Sequence, residues 1–477
     1  MLTMILLSIT AGTSAAQVEP WRKSVLRTDG GGWVTGIVVH PKEKNLRYVR
    51  TDVGGSYRWS EEEQKWISIF DWIPIEEFRN RQTDAIALDL NDPDKVYLAV
   101  GYHRPHGGIF RSDDRGVTFT RLNFPSPQSI HGNAGVHIRS VGERLEVSPF
   151  NSDELIYGLA TGEVGLYKTT DNGDTWSRIP VAGGHTGVKL VFYDRHKEGH
   201  FYVALTGKGL YHTADGGNSF AKVNANATDV RRMAQATDGT LYFTNRIVNR
   251  EHEGAVFRIK DGTCTNITNG ITTVEKAGSG ADLTSSHVDK KGLQGIATNP
   301  FDPSHIVVQG ALMAGHPVPS YESKDGGKTW DRFQITFGYL TPWGGEEEVM
   351  RPTVSDIAWD SFDENVIHHV DGGGAAQLHL NGNDMTAHST AHGIEETVNF
   401  VHRSVPLGDK ELWISGCADR AGYVHDRGID LSPTSNLLLP DMPEKLQSIH
   451  AINYAPSNPK RAYFAGRSND TRKTGKL

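Results

Sequence analysis

The chain has 477 residues, with 52 glycines, 10 tryptophans and a formal net charge of −8. That length exceeds one ordinary hydrophobic core, so the chain holds several domains or a repeat. The negative balance gives no reason to expect nucleic acid or an anionic membrane as partner; a neutral ligand such as a sugar polymer is compatible with it.

In chain order, residues Leu2 to Ile9 are apolar and small residues follow to Ala16. Residues 1–16 read as an export signal with a cleavage site at Ser14-Ala15-Ala16, although a basic start is missing. A secreted protein, extracellular or periplasmic, is the expectation. No later segment approaches the ~20 apolar residues of a membrane helix.

A repeat then dominates: an apolar strand, a turn rich in Pro, Asp and Asn, and a second apolar strand. It appears at Gly36 to Pro41, Ala85 to Val100 and Arg144 to Gly158. Further copies start near Lys189, Arg232, Gly295 and Asp356, and two more near Asn399 and Ala451. Proline cannot donate to a sheet ladder, so it belongs to the turns.

A second signal follows in several units. Ser112 to Phe119, Thr169 to Trp176, Thr213 to Phe220 and Ser323 to Trp330 match the Asp-box pattern Ser/Thr-x-Asp-x-Gly-x-Thr/Ser-Trp/Phe. The Asp accepts backbone N–H groups, the Gly supplies a positive φ, and the aromatic buries between neighbouring sheets. Asp114, Asp171, Asp215 and Asp325 are therefore read as structural.

Repeats of this period build propellers from four-stranded blades. The expected fold is all-β. Residues 24–392 form a seven-bladed β-propeller, residues 393–467 the first blades of an incomplete second propeller, and 468–477 an irregular tail.

Two segments stand outside the scaffold pattern. In Arg50-Thr51-Asp52-Val53-Gly54-Gly55-Ser56-Tyr57, an Asp follows a buried strand and precedes two glycines that permit a sharp turn and close approach of a ligand. A degenerate Asp-box turn is the alternative. Trp413 to Asp426 repeats the arrangement around Asp419, as though each Asp occupied the same place in the first blade of its own propeller. Carboxylates facing each other across a cleft are what glycosidic hydrolysis needs.

The chain resembles glycoside hydrolase family 74, the xyloglucanases and related endo-β-1,4-glucanases. The similarity lies in Gly30 to Val38 with Arg50 to Gly55, in Trp72-Ile73-Pro74-Ile75, in Arg139 to Leu145 and in Gly393-Ile394-Glu395-Glu396-Thr397. It runs from about Lys23 to Arg467. The resemblance implies two propellers across an open cleft, an inverting mechanism, Asp52 as general base and Asp419 as general acid. It implies a polysaccharide substrate, xyloglucan or a related β-glucan, and no cofactor or metal. Two features depart from it. The family's Asp-Ile-Gly-Gly-Phe is here Asp419-Arg420-Ala421-Gly422-Tyr423, whose Arg would lower the acid's pKa. The second propeller is also incomplete, so a separately encoded remainder is a candidate partner.

Sugar platforms are sought among aromatics, with Trp343, Trp72, Trp59 and Tyr102 as candidates and core packing as the alternative for each. Trp343 leads because Tyr339 to Gly345 reads as a loop. The histidine pairs His103 with His106 and His368 with His369 lack a recognised metal spacing. Cys264 and Cys417 either pair or stand free, and Asn226 and Asn266 open glycosylation sequons. The competing function is a non-catalytic glycan-binding or scaffold propeller. A sialidase-like exo-enzyme, which also carries Asp boxes, would need an arginine triad and a Tyr–Glu pair that no motif here identifies.

Overall fold

A computed structural model describes residues 26–30, 32–73, 82–101, 107–125, 141–160, 163–182, 184, 186–223, 227–245, 254–271, 292–311, 317–346, 349–351, 353–418, 420–428, 430–437 and 446–468. Among these, strands alone form the regular structure. Six antiparallel sheets of four strands each follow one another along the chain from Val34 to Arg332. A seventh, running from Asp356 to Ser389, gains a fifth strand when Gln334–Phe337 pairs in parallel with its outer strand Asp384–Ser389.

The first strand of each sheet is innermost. Val34–Val39 packs against Thr83–Leu88 on one side and against Asp356–Trp359 on the other, and the innermost strands between them touch in sequence. The seven sheets thus close a ring. Val34 N donates to Asp371 O at 3.0 Å across the closure. Hydrophobic clusters fill the seams, such as Ala85, Tyr97 and Ile109 of the second sheet against Leu145, Leu155 and Tyr157 of the third.

A β-bulge recurs at the start of the innermost strand. Thr35, Asp84, Lys189, Arg231 and Gln294 are each the extra residue in their sheet's first pair. A bulge turns its extra side chain out of the alternation. These polar side chains bridge instead of lying in a hydrophobic seam. Asp84 takes the Tyr157 hydroxyl at 2.7 Å and pairs with Arg144, while Lys189 pairs with Asp229. Gln294 donates to Ser355 O at 3.2 Å.

The central channel holds a buried charge cluster. Arg50 Nε lies 2.9 Å from Glu143 Oε1, and Arg232 Nη1 lies 2.7 Å from Asp356 Oδ2. Burial pushes the Asp356 carboxyl up to about 6, against the pull of Arg232. Beyond the ring, Asn399–Leu407, Lys410–Cys417, Gly422–His425 and Ser435–Asn436 form an eighth sheet, and Leu446–Ala455 pairs with Asn458–Ser468 as a hairpin beside it.

The Asp-box turns are built by side-chain acceptors. Asp325 Oδ1 accepts from Lys328 N and Thr329 N, both at 2.9 Å, and Oδ2 accepts from Thr329 Oγ1 at 2.7 Å. Gly116, Gly173, Gly217 and Gly327 all have φ between 85° and 101°. Trp330 is buried and donates to Ile267 O at 2.8 Å.

Candidate functional site

Asp52 sits in the turn between strands Arg47–Thr51 and Ser56–Ser60 of the first sheet. The turn closes through Thr51 N to Gly55 O at 2.9 Å, and Asp52 N donates to Trp33 O at 3.2 Å. Gly55 has φ 99°, so only glycine fits there without strain. Asp52 is 4 % exposed.

The partner of this turn comes from the far end of the propeller. Glu396 lies on the connection that leaves the seventh sheet for the eighth, and its side chain is 3 % exposed. Its Oε1 accepts from Val53 N at 3.0 Å, and its Oε2 accepts from Gly54 N. Burial, with the Asp52 carboxyl hydrogen-bonded beside it, pushes the Glu396 carboxyl well above the usual range. The glycines exist to admit this side chain. A Cβ on Gly32 would stand 2.0 Å from Glu396 Cγ, and one on Gly54 would stand 2.3 Å from Glu396 Oε2. The close approach read from the sequence as a ligand's is made by Glu396 at Gly54.

The same connection is fastened around the site. Gly30 N donates to Ile394 O at 2.5 Å and Thr397 Oγ1 donates to Gly30 O at 2.6 Å. The Tyr57 hydroxyl donates toward Gly54 O and accepts from Glu395 N at 3.2 Å. Glu395 turns its carboxyl the other way, onto Thr28 N at 2.9 Å and Thr28 Oγ1 at 2.7 Å. Burial pushes Glu395 up to about 7.

The second segment is offset from the first. Cys417 N donates to Ala421 O at 2.8 Å and Ala418 N donates to Val398 O at 2.9 Å. These bonds match those of Thr51 with Gly55 and of Asp52 with Trp33, and Arg50 pairs Ser56 as Gly416 pairs Gly422. The residue that corresponds to Asp52 is therefore Ala418. Asp419 follows it and lies outside the described residues. The sequence expectation that both aspartates hold the same place is corrected by one position, because the order of small residues after each Asp does not fix the ladder register. Arg420 Nη2 donates to Gly373 O of the seventh sheet at 3.1 Å, so this guanidinium reaches back to the first propeller.

The aromatic candidates separate by burial. Trp343 is 6 % exposed, packs with Cys417 and Tyr423, and donates to Asp29 O at 2.7 Å. It anchors the eighth sheet to the ring and presents no open face, which corrects its reading as the leading platform. Trp59 is also buried, against Trp66 and under the Arg47 guanidinium at 4.4 Å, with its Nε1 on Glu61 at 2.8 Å. It too is packing. Trp72 is 38 % exposed but stacks on Phe119 at 5.4 Å in the seam between the first two sheets. Tyr102 lies outside the described residues, as do His103, His106 and Asn226. His368 bonds Asp360 at 2.9 Å while His369 bonds Gln309 at 2.8 Å and Asp371 at 2.9 Å, so the two rings serve separate structural contacts. Cys264 and Cys417 do not pair with each other in a disulfide, and Cys417 Sγ donates to Asn399 Oδ1 at 2.9 Å.

A closed ring of seven sheets defines a β-propeller, and similarity to known proteins makes its family specific. No family model matches the chain. A probable oligoxyloglucan-reducing end-specific xyloglucanase of Neosartorya fischeri is 33 % identical over 68 % of this chain and 43 % of its own length. A xyloglucanase of a Paenibacillus species is 28 % identical over 96 % of this chain and 48 % of its own. The family 74 xyloglucanase structure from Xanthomonas campestris superposes with a TM-score of 0.77 at 25 % identity, covering 96 % of this chain and 67 % of that one. The family 74 enzyme structure from Niastella koreensis gives 0.76 at 25 % identity, over 93 % and 65 %. The chain belongs to glycoside hydrolase family 74. It spans about half the length of the curated relatives it matches.

Proposed function

We propose that this chain carries the base-bearing half of a glycosidase that cleaves the β-1,4-glucan backbone of xyloglucan with inversion. The observation that carries the reading is the buried Asp52 turn, held by Glu396, whose carboxyl accepts from Val53 N at 3.0 Å and from Gly54 N. A carboxylate so held is suited to take a proton from water. Inverting carboxyl pairs stand about 6.5–9.5 Å apart, so that water and the sugar fit between them, and retaining pairs about 5–5.5 Å. Two carboxyls in a hydrogen bond are too close for either arrangement, so Glu396 is not the acid. The acid is assigned to Asp419 on its family motif.

The test is release of oligosaccharides from xyloglucan, with the anomeric configuration of the first product read by proton NMR. Asp52→Asn is expected to lose about 10³-fold or more in kcat. Equal activity in the variant sinks the assignment. A second reading, glycan binding without hydrolysis, is favoured by the register that puts Ala418 in the position equivalent to Asp52. It predicts retention on immobilised xyloglucan with no product formed.

A further inference from the structure

We propose that Glu396 is the positioning residue of the catalytic base: it clamps the Asp52 turn through the backbone N–H groups of Val53 and Gly54 and sets its buried carboxyl beside that of Asp52. The proposal rests on the reading of Asp52 as the base.

The geometry is specific. Neither oxygen of Glu396 faces solvent, and both are committed to the turn, one at Val53 N and one at Gly54 N. The side chain fills the space left by the missing Cβ atoms of Gly32 and Gly54, so it can neither be enlarged nor swung aside. Its backbone is fixed by the Gly30 bridge and by the Tyr57 hydroxyl. The groups facing it are Asp52 and Tyr57 on the first sheet and Glu395 on its own segment. The Glu395 carboxyl points away to Thr28, and the Tyr57 phenol is held un-ionised by burial beside both glutamates. Since Glu396 belongs to the connection between the ring and the eighth sheet, the second propeller's attachment also sets the conformation of the turn that bears the base.

Two measurements test this. In the first, wild type, Glu396→Gln and Glu396→Ala are compared on xyloglucan across pH. Glu396→Gln keeps the size of the side chain but puts an amide NH2, which cannot accept, against Val53 N or Gly54 N, and removes the ionisable carboxyl beside Asp52. It is expected to lower kcat about 10–100-fold with KM within about threefold, and to displace the acid limb of kcat/KM, since the carboxyl that titrates beside Asp52 is gone. Glu396→Ala is expected to lose more, about 10³-fold. A Glu396→Gln profile that superimposes on wild type overturns the proposal. In the second, carboxyl-labelled wild type and Asp52→Asn are titrated by ¹³C NMR. The Glu396 signal is expected to titrate at lower pH once the Asp52 charge is gone. An identical Glu396 curve in both proteins overturns the proposal, and this readout requires neither activity nor a folded Glu396 variant. Wild type inactive on xyloglucan but with coupled titration would instead defeat the functional reading and leave the carboxyl pair standing.

Discussion

Buried carboxyls recur at both ends of the channel, and each has its own consequence. Glu146 accepts from Tyr193 N at 2.8 Å, and burial pushes it up to about 7 in spite of Arg195 nearby. It lines a cavity of about 330 Å³ formed with Val39, Phe192 and Gln235. These residues lie at the ends of the inner strands away from Asp52, since Asp52 follows Thr51, which pairs with Val34 at the other end. A carboxyl whose pKa is raised on folding binds its proton more tightly in the native state. The native state therefore loses stability as pH rises from about 4.5 to about 7. Glu146→Gln keeps the acceptor for Tyr193 and removes the ionisation. It should leave the unfolding free energy unchanged near pH 4.5 and raise it above pH 7, by roughly 1–2 kcal/mol after screening at the cavity mouth; pH-resolved calorimetry checks this. At this scale the sequence showed Asp52, because a strand, an acid and two glycines stand together. It did not single out Glu396, which was visible only as part of a family motif. Val53 and Glu396 are 343 positions apart, and no local pattern links them.

Turns and bulges divide in the same manner. The Asp-box was readable four times because the bonds of its Asp carboxylate fall within eight consecutive residues and the chemistry is local. Hydrogen bonds from Thr329, Lys328 and Ser323 draw the Asp325 carboxyl down to about 2. A depressed pKa gives stability that is present above about pH 4 and fades as pH falls toward 2. Asp325→Ala should lower the unfolding free energy at neutral pH by about 1–2 kcal/mol, leave a smaller gap near pH 2, and leave hydrolysis unchanged. Denaturant titration with a parallel activity assay measures both. The bulges were not legible. Nothing in Thr35, Asp84, Lys189, Arg231 or Gln294 marks an unpaired position, because the two-to-one pairing is a property of two strands together. The one-residue offset between Asp52 and Asp419 escaped the sequence for that reason too.

Closure of the ring depends on a few long-range contacts. Arg232 joins the fifth sheet to the seventh through Asp356 and Ser355 O at 3.0 Å, and to the first through Thr35 O at 3.0 Å. Arg232→Ala would strand Asp356 and should cost about 3–5 kcal/mol. Arg232→Met with Asp356→Leu should recover most of that, since replacing both charges removes their desolvation cost. Chemical denaturation of the single and paired variants separates the two contributions. If the paired variant is no better than the single, the cluster matters for shape and not for charge pairing.

The all-β propeller fold, its strand–turn–strand repeat and the family followed from the sequence alone, because strand alternation, turn chemistry and motif order are one-dimensional properties. Which tryptophans are packed and which exposed was decided by the tertiary structure: Trp343 and Trp59 look like any loop or strand aromatic until their neighbours are in place. So was the composition of the site. Glu396 reaches Asp52 only when the ring has closed and the outgoing connection crosses the first sheet. Long-range proximity of buried polar groups is created by folding, and the linear order of residues does not encode it locally.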